Sequence, residues 1–181
     1  MGCANYGRFE SIDDKRSYVK LEEKISCRGK GYILIKNYPQ SRLNFNFNST
    51  KEELFMLFKD IFGRKQFQLR IINNEIEVFS LRKKEIIPLE SYSSISPLFE
   101  NIEPKDLIDF VWGVIPESFV SNSVQKKTNK NRILFNTYET TLGYLINEIS
   151  FHSEDDISEI NLFFLKREFD TIYPHLKNEK I

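Results

Sequence analysis

Arg42-Leu43-Asn44-Phe45-Asn46-Phe47-Asn48 decides the fold class. Leu43, Phe45 and Phe47 share one side of an extended chain, while Arg42, Asn44, Asn46 and Asn48 share the other. Side chains alternate across a strand, so this segment reads as a strand with one dry and one wet face, as in an antiparallel sheet.

The same period extends outward. Arg28-Gly29-Lys30-Gly31 leads into a strand at Tyr32-Ile33-Leu34-Ile35, and Asn37-Tyr38-Pro39-Gln40 has turn composition. Leu54 to Phe58 is a continuous apolar run, expected to be a strand covered on both faces. Lys59 to Lys65 is a turn. Phe67, Leu69 and Ile71 then alternate with Gln66, Gln68 and Arg70. Asn73-Asn74 makes a tight hairpin into Ile76-Glu77-Val78-Phe79, and Lys83-Lys84-Glu85 marks another turn. At least five consecutive strands with short connections form a meander, which curls as it grows.

On the N-terminal side, residues 11–26 read as a helix. Ser11 is placed to cap it, Asp13 and Asp14 occupy its first turn, and Tyr18, Leu21 and Ile25 form an apolar face with Val19. After the meander, prolines at 88, 97, 104 and 116 break the pattern. Pro104 to Trp112 is a short helix with Pro104 in its first turn and an apolar face of Leu107, Ile108, Val111 and Trp112. A helix inserted there can plug the open side of a curved sheet. Residues 118–130 are loop-like, and strands resume at Arg132–Tyr138, Leu142–Phe151 and Ile157–Lys166. Residues 1–10 are expected to be a tether, 11–172 a single domain and 173–181 a loose tail.

Composition narrows the function classes. The 181 residues carry 26 Lys plus Arg against 26 Asp plus Glu. A nucleic-acid partner would ask for a basic excess. The 16 Phe and 8 Tyr, against a single Trp, suit either a dense core or a cavity for apolar ligands. No apolar run has the length of a membrane-spanning helix.

Cys3 and Cys27 are the only cysteines. Met1-Gly2-Cys3-Ala4 has the form of a bacterial lipoprotein cut before its lipid-bearing cysteine, with the leader expected upstream. It also resembles the start of a dually acylated cytosolic protein, although Tyr6 replaces the usual Ser or Thr. An incidental cysteine in a loose tail is the third reading. Cys27 has no CxxC partner and reads as a structural thiol.

No nucleophile motif, phosphate loop or dinucleotide fingerprint occurs, so no catalytic residue and no cofactor is assigned. His152 with Glu154, Asp155 and Asp156 could approach a cation, but acidic residues there serve turn geometry more commonly, and no metal is assigned.

Asp60-Ile61-Phe62-Gly63 is unusual for a hairpin tip, which is normally polar. Two readings are open. The turn projects as an apolar finger, or it folds back so that Phe62 completes the core. Moving an exposed Phe into apolar surroundings is worth about 1.5–3 kcal/mol, which suits transient insertion into a partner or membrane.

The order of these features resembles the LolB family of outer-membrane lipoprotein receptors over roughly residues 15–120. The match runs from the N-terminal helix to Gly29-Lys30 and the aromatic alternation of Leu43 to Phe47. It continues through an apolar turn, where Ile61-Phe62-Gly63 stands for Pro-Leu-Gly, to a segment of the form Leu-x-x-Trp-x-x-Gly-x-Pro. Leu107 to Pro116 occupies that segment, with Phe110 at the tryptophan position, Trp112 two residues on and Pro116 one residue late.

The resemblance implies a mainly β, α+β fold: an incomplete antiparallel β-barrel with a helical lid. Its cavity would hold acyl chains, and we place Phe45, Phe47, Phe67, Leu69, Phe110 and Trp112 around it. Cys3 would carry the lipid, on the periplasmic face of the outer membrane, and Phe62 would promote insertion. The implied partners are acylated lipoproteins, a LolA-like periplasmic carrier and the inner leaflet of the outer membrane, with the receptor a monomer. A lipoprotein binding another lipid or glycolipid, or a structural one with a full interior, are the alternatives.

Overall fold

The computed structural model describes residues 19–36, 41–88, 102–120, 132–152 and 159–170. The expected tether with Cys3 and the tail at 173–181 lie outside these residues. So do the acidic turn at 153–158 and the helical positions 11–18.

Among the described residues nine strands form one antiparallel sheet. They are β1 (Cys27–Ile35), β2 (Ser41–Ser49), β3 (Leu54–Lys59), β4 (Lys65–Ile72), β5 (Glu75–Ser80), β6 (Glu85–Ile87), β7 (Arg132–Thr140), β8 (Gly143–His152) and β9 (Glu159–Phe169). Their order in the sheet is β6-β5-β4-β3-β2-β1-β9-β8-β7. The last strand returns to pair with the first, and among the described residues the sheet stays open between β6 and β7. This is the expected incomplete barrel, with β6 an additional strand of the meander. Asn73 and Asn74 both take positive φ at the β4–β5 hairpin, the backbone that a tight two-residue hairpin turn requires.

The cross-strand register shows why glycines stand at the centre of the sheet. Gly29 and Gly31 of β1 stand opposite Phe47 and Phe45 of β2. A Cβ on Gly29 would collide with the Phe47 ring and the Lys166 carbonyl, and one on Gly31 with the Phe45 ring and the Phe163 carbonyl. Glycine therefore lets both rings lie over β1. The ring of Phe164 in β9 meets them edge-on, at centroid distances of 5.8 Å to Phe45 and 6.2 Å to Phe47. A register shift between Lys30 and Gly31 in the β1–β9 ladder adds the local bend of a bulge.

Helix α2 (Pro104–Trp112) fills the concave side; it follows a short N-terminal helix, α1 (Val19–Glu22), and precedes α3 (Glu117–Val120). Pro104 stands in the first turn as the sequence predicts. The Glu103 amide donates to Asp106 Oδ2 at 3.2 Å, and the Ser118 hydroxyl donates to Asp106 Oδ1 at 2.9 Å. Leu107, Ile108, Phe110, Val111 and Trp112 are all buried in one cluster with the inner residues of the sheet. The Trp112 indole donates to Ser49 Oγ (3.2 Å) and the Thr50 carbonyl (3.1 Å), so burial leaves its polar edge satisfied.

Two expectations are corrected. The described part of the N-terminal helix ends at Glu22, not at residue 26, and Ile25 is 66% exposed instead of sharing Leu21's buried face. The β1–β9 ladder runs to Cys27 opposite Phe169, and Asp170 fastens the approach by pairing with Lys24 and donating its amide to the Ser26 carbonyl. Long-range pairing thus overrides the helical period. The run Leu54–Phe58 is covered on one face only: Leu54, Met56 and Phe58 are buried, while Phe55 and Leu57 are half-buried. The Arg70 guanidinium lies 5.7 Å from the Phe55 ring centroid, so a long polar side chain shields the outer face in place of a second layer.

Candidate functional site

The β3–β4 hairpin ends in the turn that the sequence left open between two readings. It projects: Phe62 is 76% and Ile61 63% exposed. Asp60 holds this shape. Its Oδ1 accepts the amides of Phe62 and Arg64 at 2.9 Å each. Its Oδ2 accepts Arg64 Nε at 2.6 Å and Gln66 Nε2 at 3.0 Å. Backbone bonds from the Asp60 amide to the Arg64 carbonyl and from the Gly63 amide to the Asp60 carbonyl, both 3.0 Å, close the loop. Gly63 has φ +79°, a left-handed conformation that glycine adopts without steric cost.

The Asp60 carboxyl feels partial desolvation, which raises its pKa, yet the bonds from Arg64 and the Phe62 amide hold it below the ordinary aspartate value. At neutral pH it is therefore an anion bracing an apolar tip. Asn44 Nδ2 of β2 donates to the Asp60 carbonyl at 3.4 Å, tying the finger to the neighbouring strand. The Arg64 guanidinium stands 5.2 Å from the Phe62 ring centroid.

Beside the finger lies a groove of about 510 Å³, walled by Ile61, Phe62, Asp60 and Arg64 on one side and by Leu34, Ser41 and Arg42 on the other. Arg42 is held by stacking: its guanidinium sits 3.9 Å from the Tyr32 ring centroid. Tyr32 in turn stacks on Phe163 at 4.6 Å. Arg42 was legible as a wet-face residue of β2, but its sharing a groove with Arg64 was not, because that depends on the β2–β3 register, which sets Lys59 opposite Asn44 and brings the turn alongside the start of β2.

The six residues expected around a cavity are all found in the interior. Phe45, Phe47, Phe67 and Leu69 point inward from the sheet, and Phe110 and Trp112 point inward from α2. Phe58 stacks on Phe67 at 4.5 Å. Phe110 packs at 5.7 Å from Phe119 and 5.8 Å from Phe135. These residues meet one another across α2, and none of them lines the groove beside the finger.

Sequence reading missed Arg167, which lies just past the expected end of the last strand at Lys166. Its Nε donates to the Val111 carbonyl at 2.7 Å and its Nη2 to the Phe110 carbonyl at 3.0 Å, so a cation closes the C-terminal end of α2. Desolvation lowers its pKa to about 10, against the raising influence of Cys27 and Tyr138. The buried Cys27 thiol lies 3.7 Å from the Val111 carbonyl. Burial pushes it up to about 12, with Arg167 opposing, which leaves an unreactive thiol. Among the described residues no group of three or more His, Cys, Asp and Glu could hold a metal ion. No described helix is long and apolar enough to cross a membrane.

No protein-family model matches the chain, and no curated protein matches it significantly in sequence. Among solved structures, the chain is similar to a domain from Vibrio parahaemolyticus provisionally designated an outer membrane lipoprotein-sorting protein domain. The TM-score is 0.54 at 10% sequence identity, over 88% of this chain and 91% of that one. The likeness is one of fold, and it agrees with the LolA/LolB-like open barrel that the sequence resemblance implies.

Proposed function

We propose that the protein is an outer-membrane lipoprotein receptor. In this reading it takes acylated lipoproteins from a LolA-like periplasmic carrier and releases them to the inner leaflet of the outer membrane at the Ile61-Phe62-Gly63 turn. The observation that carries the reading is the exposed apolar tip braced by Asp60, on a fold shared with a domain designated as lipoprotein-sorting. A rigid hairpin that spends its hydrogen bonds on presenting Phe to water has an apolar destination.

The mechanism needs no covalent chemistry. Each buried CH₂ is worth about 0.8 kcal/mol, so acyl chains move by passing through successively better apolar environments. Helix α2 occupies the concave side of the sheet, and its withdrawal would part Phe110 and Trp112 from Phe45, Phe47, Phe67 and Leu69. Those two sets would become the walls of an acyl-chain site, with α2 as the lid. Residues 1–10 would tether the domain through a lipid on Cys3.

Phe62→Glu tests the finger. Delivery of lipoprotein to membranes should fall while lipoprotein binding is retained; unchanged delivery removes the role. The close packing around α2 favours a second reading, a structural lipoprotein without cargo. Native mass spectrometry of the purified protein separates these: copurified acylated protein supports the receptor, free lipid supports a carrier of another lipid or glycolipid, and an empty protein supports the structural role.

A further inference from the structure

The chain carries equal numbers of basic and acidic residues, yet the base of the finger is basic. Lys59 and Lys65 face each other directly across the β3–β4 ladder. Like charges in that position repel. Arg42 and Arg64 wall the adjoining groove. Among the described residues, Asp60 is the only acid lining that groove, and its carboxylate is already engaged by Arg64, Gln66 and two backbone amides. Among the described residues, Lys59, Lys65 and Arg42 have no ion-pair partner. Elsewhere on the molecule lysines and arginines do pair: Lys24 with Asp170, Arg28 with Glu168, and Lys36 with Glu159.

An apolar tip ringed by unneutralised cations is the arrangement that binds an anionic bilayer surface. The ring inserts at the headgroup level while the cations meet lipid phosphates. We infer that the β3–β4 finger and its collar of Arg42, Lys59 and Lys65 form a docking element selective for anionic lipid surfaces. The inference rests on the proposal that the finger enters a membrane, and adds which membrane surface it chooses. The repulsion between Lys59 and Lys65 is relieved on docking, because lipid phosphate neutralises both. Arg42, stacked on Tyr32, is held ready at the groove.

The test is flotation of the full chain with phosphatidylcholine vesicles, with and without phosphatidylglycerol. One basic residue near an anionic surface strengthens binding about fivefold. A variant with Arg42, Lys59 and Lys65 all changed to Gln should therefore bind the phosphatidylglycerol vesicles on the order of a hundredfold more weakly. Its binding to pure phosphatidylcholine should not change. Arg64 is kept because it braces Asp60, and an unchanged circular dichroism spectrum verifies folding. High salt should erase the preference of the wild-type chain. Phe62→Glu should weaken binding to both kinds of vesicle. Equal wild-type binding to both vesicles overturns the inference and leaves the finger's membrane role standing. Binding that is indifferent to Phe62→Glu overturns the membrane role itself, and the inference with it.

Discussion

Arg167 donates from Nε to the Val111 carbonyl at 2.7 Å, so a guanidinium carried by the last strand closes the helix that fills the shell. Its Nη2 reaches the Phe110 carbonyl as well, and its guanidinium lies 4.2 Å from the Phe164 ring centroid. One side chain thereby joins the helix terminus to the aromatic cluster over β1. The exit of α2 is pinned separately, by the Ile146 amide on the Gly113 carbonyl at 2.8 Å.

Arg167→Met should loosen α2 without dissolving the sheet. Hydrogen bonds to a charged group contribute about 1.5–3 kcal/mol, and a loss of that size should appear in urea unfolding. Amide exchange should rise in Pro104–Trp112 more than in β1 to β4. Uniform exchange across both would show that helix and sheet open only together.

Cys27 reports on the same motion. It is fully buried beneath Val111, so alkylation needs α2 to move. With Cys3 changed to Ser, the native chain should react with iodoacetamide far more slowly than the unfolded chain, and Arg167→Met should accelerate it. Fast native labelling would mean that the helix already opens freely.

The inward and outward faces of the strands were legible because period-two alternation is local, and Leu43, Phe45 and Phe47 declare it within five residues. What those faces meet was not. Phe45 and Phe47 read as core from composition and as cavity wall from the family resemblance, and α2, which packs against them, enters some sixty residues later. Gly29 and Gly31 looked like an approach to a strand because glycine weakens strands in isolation. They lie inside β1 because the Phe rings of β2 occupy the space their side chains would need. The projecting turn was half legible: Asp60 and Gly63 signal the bend, but its direction depends on Asn44 and Gln66 holding Asp60 from the neighbouring strands.

Gly31→Ala should be strongly destabilising. The added methyl meets the Phe163 carbonyl as well as the Phe45 ring, and a backbone atom cannot rotate away. Overpacking of this kind costs about 1–3 kcal/mol or more. Phe45→Leu in the same chain frees only the ring side, so thermal denaturation should show little rescue. Full rescue would mean that the ring alone sets the requirement for glycine.

Asp109 makes the stability of α2 depend on pH. Desolvation, reinforced by Asp106 and Glu117 and opposed by Lys105, raises its pKa from 3.8 to about 6. An acid raised in the folded state is a charge that folding disfavours. The penalty is absent below the unfolded value, grows between about 4 and 6, and is complete above that range. Asp109→Asn should therefore stabilise the protein near pH 8 and leave it unchanged near pH 4. Asp60, Glu159 and Glu168 have lowered values and lose stability on acidification, so only the difference between variant and wild type isolates Asp109. Chemical denaturation of both chains at the two pH values measures it. A gain that persists undiminished at low pH would assign the effect to the lost carboxylate's packing, not to its charge.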